Sequence, residues 1–254
     1  MGKRLILHIG LPKCASTSLQ RALMETNGLY FPQHGLHHFE HIAIPLKIKG
    51  LDDWTAQWFS AEWVDEQFDA LVSDINSTDA QVVVISSERL ADITPEQLNQ
   101  LLKLFPSFEV ELLLLYRPKD DFVKSMWRHA VFRHDLAEDF KAFSEGFVHF
   151  DPLGSLSVHR GTVPVHAMNI KEKGWESGLS DVLGLKLQLP VENVSAKFEC
   201  CYYLQQIHKS VGSEKFKAYF NDQTKKEFCE LFSGSEKRSI EDFIVPILRR
   251  NSTD

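Results

Sequence analysis

The chain has 254 residues, of which 43% are hydrophobic and 25% are charged, so its composition is that of an ordinary globular protein. This length is sufficient for one α/β domain with a large buried core. The formal net charge of −7 and the lack of a basic stripe argue against nucleic acid as a partner. No apolar run in the sequence approaches the roughly 18 residues of a membrane-spanning helix.

The N-terminal segment and the cysteines favour a cytoplasmic location. Residues 5–9 form an apolar run after Lys3 and Arg4, but the run is too short for a signal peptide and precedes no small-residue cleavage site. We therefore interpret it as a first strand. The four cysteines are Cys14, Cys200, Cys201 and Cys229. Because they form no CxxC pair and the chain is long, we expect no disulfide framework.

Short apolar runs rich in Val, Ile and Leu predict strands that are buried on both faces of a parallel sheet. They cover residues 5–9, 82–86, 110–116 and 163–168. Between them, apolar residues recur at spacings of three and four, which predicts amphipathic helices. One of these helices begins at Pro95 after the predicted N-cap Thr94. The alternation predicts a doubly wound α/β fold, in which ligands bind at the carboxyl ends of the strands.

The remaining segments read as a loop and a helical C-terminal part. Residues 147–161 are rich in Gly, Ser, His and Pro, which predicts a loop or flap. From about residue 195 onward the pattern is helical and more polar, and it ends in a frayed tail at residues 251–254. We expect a single domain over residues 1–254, with residues 195–254 mostly helical.

The first motif with chemical content follows the first predicted strand directly. It reads Gly10-Leu11-Pro12-Lys13-Cys14-Ala15-Ser16-Thr17-Ser18. A loop that enters a helix start predicts a phosphate cradle, because free backbone N–H groups and the helix dipole attract an anion. Lys13 adds a full charge and the hydroxyls add donors. Because Lys13 precedes Ser16 by three residues and a second glycine is missing, this is not the Walker loop of nucleoside triphosphatases.

The second motif follows the predicted strand at residues 110–116. Arg117 comes at the carboxyl end of that strand and carries a planar fork of donors that suits a phosphate. Ser125 follows eight residues later, in the second turn of a predicted helix. A second anion site, separate from the first, indicates a ligand with two well-separated phosphate-like groups.

Together the two motifs resemble the 5′-phosphosulfate loop and the 3′-phosphate motif of sulfotransferases that use 3′-phosphoadenosine 5′-phosphosulfate (PAPS). The first loop is similar to the family's Pro-Lys-x-Gly-Thr-Thr, and its flanking residues are similar to those of bacterial members. The resemblance implies a three-layer P-loop-type α/β fold with a central, mostly parallel sheet flanked by helices. It also implies PAPS as co-substrate, 3′,5′-adenosine bisphosphate (PAP) as product, and no required metal.

The resemblance also implies a role for each matching residue. Lys13 would stabilise the leaving phosphate, and Arg117 with Ser125 would hold the 3′-phosphate. The loop residues that would hold the 5′-phosphate are Cys14, Ala15, Ser16, Thr17 and Ser18. Ala15 stands where the family usually has glycine. If this position needs a positive φ, alanine costs about 1 kcal/mol. This cost would affect the affinity for the nucleotide more than the resemblance to the family.

Glu88 is the first candidate for the general base that deprotonates the acceptor. It follows the predicted strand at residues 82–86, in the region where the family carries a catalytic His or, in some branches, Glu. Burial would raise the basicity of such a carboxylate. The structural alternative is that Glu88 pairs with Arg89 or Lys13.

A histidine cluster provides the rival candidates. Its members are His34, His37, His38 and His41. In a helix, their spacing would place all four on one face, and His38 or His41 is the rival general base. A zinc site is the weaker interpretation, because no cysteine or matched acid has ligand spacing. A solvated loop, or a loop that faces the acceptor, is the favoured interpretation of this segment. His8, inside the first strand, is interpreted as a core histidine. Residues 193–195 resemble an Asn-x-Ser element of bacterial relatives, with an N-cap as the simpler role.

The sequence leaves the acceptor and two other functions open. The acceptor would present a hydroxyl or an amine, on a carbohydrate or another small metabolite, and would lie among residues 29–63 and 137–161. One alternative is a P-loop kinase or other phosphotransferase that uses ATP with magnesium. Another is a non-catalytic module that binds PAP or PAPS, in which Ala15 marks lost catalysis. The oligomeric state is not predicted.

Overall fold

The computed structural model describes residues 2–52, 55–190 and 196–231. Within them, the strands are β1 (Lys3–His8), β2 (Leu36–His37), β3 (Glu40–His41), β4 (Val82–Ser86), β5 (Phe108–Tyr116) and β6 (Val165–Asn169). β1, β4, β5 and β6 form a parallel sheet in the order β4-β1-β5-β6, and β2 pairs with β3 as an antiparallel hairpin. All four predicted strands are therefore confirmed, together with their parallel arrangement.

The helices of the described residues follow in chain order. They are α1 (Ser16–Glu25), α2 (Ala43–Lys49), α3 (Ala61–Ser77), α4 (Pro95–Leu104), α5 (Lys119–His134), α6 (Phe140–Glu145), α7 (Gly154–Ser157), α8 (Trp175–Leu183), α9 (Phe198–Val211), α10 (Ser213–Tyr219) and α11 (Asp222–Leu231). α1 packs against β4 and α8 against β6, so the sheet is flanked by helices and the predicted α/β class is confirmed.

The order of the strands creates a crevice at one edge of the sheet. From β1 the chain crosses to β4 on one side and then returns to β5 on the other. His8 at the end of β1 is level with Ser86 of β4 and Leu113 of β5. In a parallel sheet, a reversal of this kind separates the loops that follow the strands and leaves a binding crevice between them.

Local sequence signals explain where the helices begin. Thr94 accepts a hydrogen bond from the backbone N–H of Gln97, and the Gln97 side chain accepts one from the backbone of Thr94, which completes a capping box before Pro95. The predicted start of α4 is thus confirmed. The face of α3 that repeats at spacings of three and four is buried and includes Phe68 and Leu71.

The chain divides into two compact units. The first comprises Met1–Lys119 and Asp151–Asn193, and the second comprises Asp120–Phe150 and Val194–Asp254. The described strands all belong to the first unit. The secondary structure of the second unit in its described residues is helical, with α9, α10 and α11 between Phe198 and Leu231. Its core contains aromatic side chains from several helices, including Trp127, Phe216 and Phe228.

A disulfide in the second unit corrects one expectation. Cys200 in α9 and Cys229 in α11 are bonded, with their Cα atoms 5.4 Å apart. Cys14 and Cys201 are free and buried. Sequence spacing did not reveal the pair, because the two cysteines are 29 positions apart and meet only when α9 and α11 pack together. Cysteine usage therefore no longer supports the predicted cytoplasmic location, which stays a prediction.

Some sequence interpretations fall outside the described residues. They are the Asn-x-Ser element at residues 193–195 and the tail at residues 251–254. Residues 147–161, predicted as a loop or flap, contain turns and the short helix α7. None of the helices in the described parts of the chain combines the length and the apolar character that crossing a bilayer requires.

Candidate active site

The loops after β1, β4 and β5 meet at the carboxyl edge of the sheet. The N–H of Leu11 donates to the carbonyl of Leu115 at 2.7 Å, so the first loop continues the pairing with β5. On the other side, the N–H of Ser87 donates to the carbonyl of His8 at 2.9 Å. The segments that carry Lys13, Glu88 and Arg117 thus leave the sheet side by side.

The first loop has the backbone geometry of an anion-binding turn. Lys13 and Ala15 both have left-handed conformations, with φ values of 61° and 66°. Left-handed residues in such a turn direct successive N–H groups toward one point, which creates a concavity for an anion. Ala15 is the N-cap of α1 and makes no side-chain cap hydrogen bond within the described residues, and the first turn of α1 contains no acidic residue. The first N–H groups of α1 are therefore open to a ligand.

The three hydroxyl-bearing residues of the first loop differ in their burial. Ser16 is buried and its hydroxyl donates to the carbonyl of Leu11 at 3.3 Å. Ser18 is buried in the first turn of α1. Thr17 faces a cavity. Of these three side chains, Thr17 is thus the one that borders open space.

Arg117 lies against the first loop. It hydrogen bonds to Cys14 through its side chain and its backbone. Burial raises the pKa of the Cys14 thiol to about 11, although the nearby Arg117 charge opposes this shift. Among the described residues, the buried Nε of Arg117 has no hydrogen-bond partner. A guanidinium nitrogen left without a partner beside an uncapped helix start is suited to an anionic ligand.

Ser125 belongs to the second unit, in the second turn of α5. Its side chain is buried, with 2% of the residue exposed. Its hydroxyl has no hydrogen-bond partner within the described ranges. A buried hydroxyl without a partner is costly, which is consistent with a ligand group as its missing partner.

Glu88 lies directly after β4, in a short 3₁₀ turn, and faces the first loop. Its pKa is raised above the ordinary value, chiefly by burial and further by the charge of Glu40. The Ser16 side chain and the charges of Lys13 and Arg89 oppose the rise. The predicted effect of burial on Glu88 is confirmed. The backbone of Glu88 also lies so close to Gly10 that a Cβ there would stand 3.3 Å from its Cα.

His41 has a structural position, which corrects the expectation that it could be the general base. It is fully buried, and its Nε2 donates to the carbonyl of Pro32 at 2.9 Å. Its Nδ1 accepts from the N–H of Ser86 at 3.1 Å. Burial lowers its pKa to about 4. Because both ring nitrogens are engaged by the backbone, His41 has no lone pair with which to accept a proton from a ligand.

Three members of the histidine cluster lie on the β2–β3 hairpin and not on a helix, and His34 precedes the hairpin. His37 ends β2, His38 has a left-handed backbone with φ of 55°, and His41 ends β3. His37 and His38 contact each other with ring centroids 4.3 Å apart, whereas His41 points into the core. Within the described residues, no group of His, Cys, Asp or Glu is arranged to hold a metal ion.

A cavity of about 350 Å³ lies beside Glu88. Thr17, Gln20 and Arg21 of α1 form one wall. The hairpin forms the other with its four consecutive residues His37, His38, Phe39 and Glu40. The guanidinium of Arg21 lies over the ring of Phe39, 4.9 Å from its centroid. The cavity thus connects the hairpin to the start of α1.

A buried polar cluster lies between the strands and the hairpin and is centred on Ser86. The Ser86 hydroxyl hydrogen bonds to Nδ1 of His8 at 2.7 Å and accepts from Nε2 of Gln20 at 3.0 Å. Its N–H donates to His41. The interpretation of His8 as a core histidine is confirmed, since it is fully buried and its pKa is lowered to about 3, chiefly by burial.

Sequence reasoning missed Glu40. One of its carboxylate oxygens accepts from the hydroxyl of Ser87 at 2.6 Å and from the N–H of Arg89 at 3.3 Å. These two residues flank Glu88 in the chain. No local signal marks Glu40, because its partners are 47 and 49 residues away in sequence.

Comparison with protein-family models and with curated proteins gave no match. Among solved structures, the chain is similar to a sulfotransferase from Alicyclobacillus acidocaldarius, with 15% identity, a TM-score of 0.47, and coverage of 85% of this chain and 100% of that one. It is also similar to mouse sulfotransferase SULT7A1 complexed with PAP, with 14% identity, a TM-score of 0.43, and coverage of 97% and 88%. A structure from the PezAT toxin–antitoxin system of Streptococcus pneumoniae has 12% identity, a TM-score of 0.35, and coverage of 82% and 85%. Two of these three similar structures are sulfotransferases.

Proposed function

We propose that this protein is a PAPS-dependent sulfotransferase that transfers a sulfuryl group to a hydroxyl or amine of a small acceptor. The observation that carries the proposal is the meeting of two anion-binding elements at one sheet edge. The uncapped start of α1 lies beside Arg117, whose Nε has no partner among the described residues. PAPS has two separate phosphate groups and fits such a pair of elements.

The residues present suit the two ends of this nucleotide. The loop N–H groups from Cys14 to Ser18 would receive the 5′-phosphosulfate. Arg117 would receive the 3′-phosphate, because its planar fork can make paired hydrogen bonds to phosphate oxygens. The sequence motif also assigns Ser125 to the 3′-phosphate, and this assignment stays a prediction from the motif. Ala15 already has the left-handed backbone that the loop requires, so alanine at this position is compatible with binding.

The chain's own groups divide the work of transfer. Bound PAPS supplies the sulfuryl group: a bond forms between the acceptor oxygen and sulfur, and the bond from sulfur to the 5′-phosphate oxygen breaks. Glu88 accepts the proton of the acceptor hydroxyl, for which its raised pKa makes it a stronger base than an exposed glutamate. Lys13 stabilises the negative charge that develops on the 5′-phosphate. Catalysis of this kind rests on positioning and electrostatic stabilisation.

The alternatives differ in the ligand that they require. A kinase would bind ATP with magnesium, and its loop would place Lys directly before Ser or Thr. Here Lys13 and Ser16 are separated by Cys14 and Ala15. A non-catalytic module would bind PAP or PAPS without transferring sulfate. Glu88 beside the first loop supports the catalytic function over this module.

Calorimetric titration of the purified protein with PAP, in parallel with ATP and magnesium, tests the proposal. We expect binding of PAP and none of ATP. Binding of ATP with magnesium and none of PAP would instead establish the kinase alternative. If PAP binds, transfer of ³⁵S from labelled PAPS to an acceptor panel separates the enzyme from the non-catalytic module.

A further inference from the structure

Seven of the eight residues that line the cavity beside Glu88 have polar or charged side chains. Phe39 is its one apolar lining residue, and the Arg21 guanidinium covers part of that ring. A phenol, steroid or lipid acceptor would remove water from carboxylates and imidazoles without replacing their hydrogen bonds. Such unsatisfied burial is costly. The lining therefore favours an acceptor that is itself rich in hydrogen-bonding groups.

The walls carry both hydrogen-bond donors and hydrogen-bond acceptors. A ligand hydroxyl can pair with both kinds of group, whereas an ammonium group cannot. Glu40 and Glu88 offer carboxylate oxygens, whereas Arg21 and Thr17 offer donors. A hydroxyl can donate to the first pair and accept from the second. An ammonium group can only donate, so it would leave the donors of Arg21 and Thr17 without an acceptor. Several hydroxyls on one small molecule complement this mixture better than a cation does.

His37 adds to this complementarity. Partial desolvation is the main cause that lowers the pKa of His37, and the charge of Glu40 opposes the shift, so the lowered pKa favours the neutral ring. A neutral imidazole has one donor and one acceptor nitrogen, like a hydroxyl. The volume of about 350 Å³ lies at the lower end of the range for small-molecule pockets, which suits a molecule of monosaccharide size.

The cavity also reaches the reacting groups. Glu88 and Thr17 belong both to its lining and to the edges of the anion cradle. A hydroxyl held in the cavity can therefore give its proton to Glu88 while its oxygen bonds to sulfur. The 5′-phosphate then leaves with the electron pair of the broken sulfur–oxygen bond, next to Lys13.

We propose that this cavity is the acceptor site and takes a small polyhydroxylated, sugar-like molecule, one hydroxyl of which is sulfated. The proposal rests on the proposed sulfotransferase function and adds the class of acceptor. It assigns specificity to the hairpin residues His37 and Glu40 and to Arg21 of α1.

The test is transfer of ³⁵S from labelled PAPS to a panel of methyl hexosides and inositol, compared with phenols, long-chain alcohols and alkylamines. We expect transfer to the polyols. His37→Leu and Arg21→Met each remove hydrogen-bonding groups from the walls and should raise KM for the best polyol roughly tenfold. Neither substitution should change the Kd for PAP. His34→Leu is the matched control, since His34 is exposed and not among the lining residues.

The outcomes separate this proposal from the one on which it rests. Binding of PAP with transfer only to phenols, lipids or amines would overturn the acceptor class and leave the sulfotransferase function standing. Equal KM values for His37→Leu, Arg21→Met and His34→Leu would overturn the assignment of the cavity. If PAP does not bind at all, the proposed function fails and the acceptor proposal fails with it.

Discussion

The Glu40 carboxylate accepts a hydrogen bond from the Ser87 hydroxyl at 2.6 Å. The same oxygen accepts from the N–H of Arg89, so Glu40 holds both chain neighbours of Glu88. It also adds a negative charge that helps to raise the pKa of Glu88. Glu40 thus both fixes the position of Glu88 and increases its basicity.

Glu40→Gln should shift the acid limb of the pH–rate profile to lower pH. A general base works only when deprotonated, so activity falls as the pH drops through the raised pKa of Glu88. The amide oxygen of Gln can keep both hydrogen bonds, but the negative charge is gone and the pKa of Glu88 falls. The measurement is kcat against pH, with the exposed Glu66→Gln as control. An acid limb that does not move would contradict the electrostatic role of Glu40.

Lys13→Ala and Arg117→Ala should impair different steps. In the proposed reaction Lys13 stabilises charge that develops during transfer, so its removal should lower kcat at least about 100-fold. Arg117 is the proposed ligand of the 3′-phosphate, so its removal should weaken PAP binding about 10- to 100-fold. Single-turnover rates and calorimetry with PAP distinguish the two effects. Lys103→Ala on the exposed end of α4 is the control, and near-normal activity in both site variants would refute the assignment.

Ala15→Gly should stabilise the protein. Ala15 has a φ of 66°, a conformation that costs an L-residue about 1 kcal/mol and glycine almost nothing. We expect the melting temperature to rise by about 2–4 °C. Ala70→Gly, within helix α3, is the matched control and should lower it by a similar amount. A lower melting temperature for Ala15→Gly would mean that the loop does not require the left-handed conformation.

The buried histidines should make the protein sensitive to acid. His41 and His8 have pKa values lowered to about 4 and about 3, against 6.5 for the ordinary side chain. Below pH 6.5 the unfolded chain therefore binds protons that the folded chain excludes. The free energy of unfolding should fall by about 1.4 kcal/mol per pH unit for each histidine between pH 6.5 and 4.

Urea titrations at a series of pH values measure this slope. His41→Gln should reduce the dependence of the unfolding free energy on pH by the contribution of one histidine. The substitution His34→Gln, at an exposed position, should leave this dependence unchanged. A slope that is the same for His41→Gln and the wild-type protein would show that His41 is not buried in its neutral form.

Reduction of the disulfide should destabilise the helical unit. Cys200 and Cys229 close a loop of 29 residues, for which the chain-entropy relation gives about 3–4 kcal/mol. Cys229→Ser should lower the free energy of unfolding by a comparable amount. Dithiothreitol should have the same effect on the wild-type protein and none on Cys229→Ser. Peptide mapping without reductant should recover the two cysteines linked, and their recovery as free thiols would contradict the pairing.

Much of the sheet, and the position of the first loop between β1 and α1, could be predicted from the sequence, because the signals are local. A run of buried residues such as 110–116 marks a strand, and Thr94 with Pro95 marks a helix start. The motif from Lys13 to Ser18, which predicts anion binding, consists of consecutive residues. Each of these features depends on near neighbours in the chain.

The hairpin and its contacts could not be predicted in the same way. β2 and β3 have two residues each, too few to show an alternating pattern. The spacing of His34, His37, His38 and His41 is that of a helix face, and only packing against Ser86 shows that His41 turns inward. Glu40 and the Cys200–Cys229 pair likewise depend on contacts between distant parts of the chain.

The hydrogen bond between Ser86 and His41 has a consequence for redesign of this protein. A loop that changes acceptor preference is often exchanged as an independent module. Here the hairpin is joined through His41 to Ser86, whose hydroxyl also bonds to His8 beneath the first loop and to Gln20 of α1. A transplanted hairpin would have to keep His41 and Glu40 to leave the nucleotide cradle intact. The replaceable segment is therefore reduced to His37, His38 and Phe39.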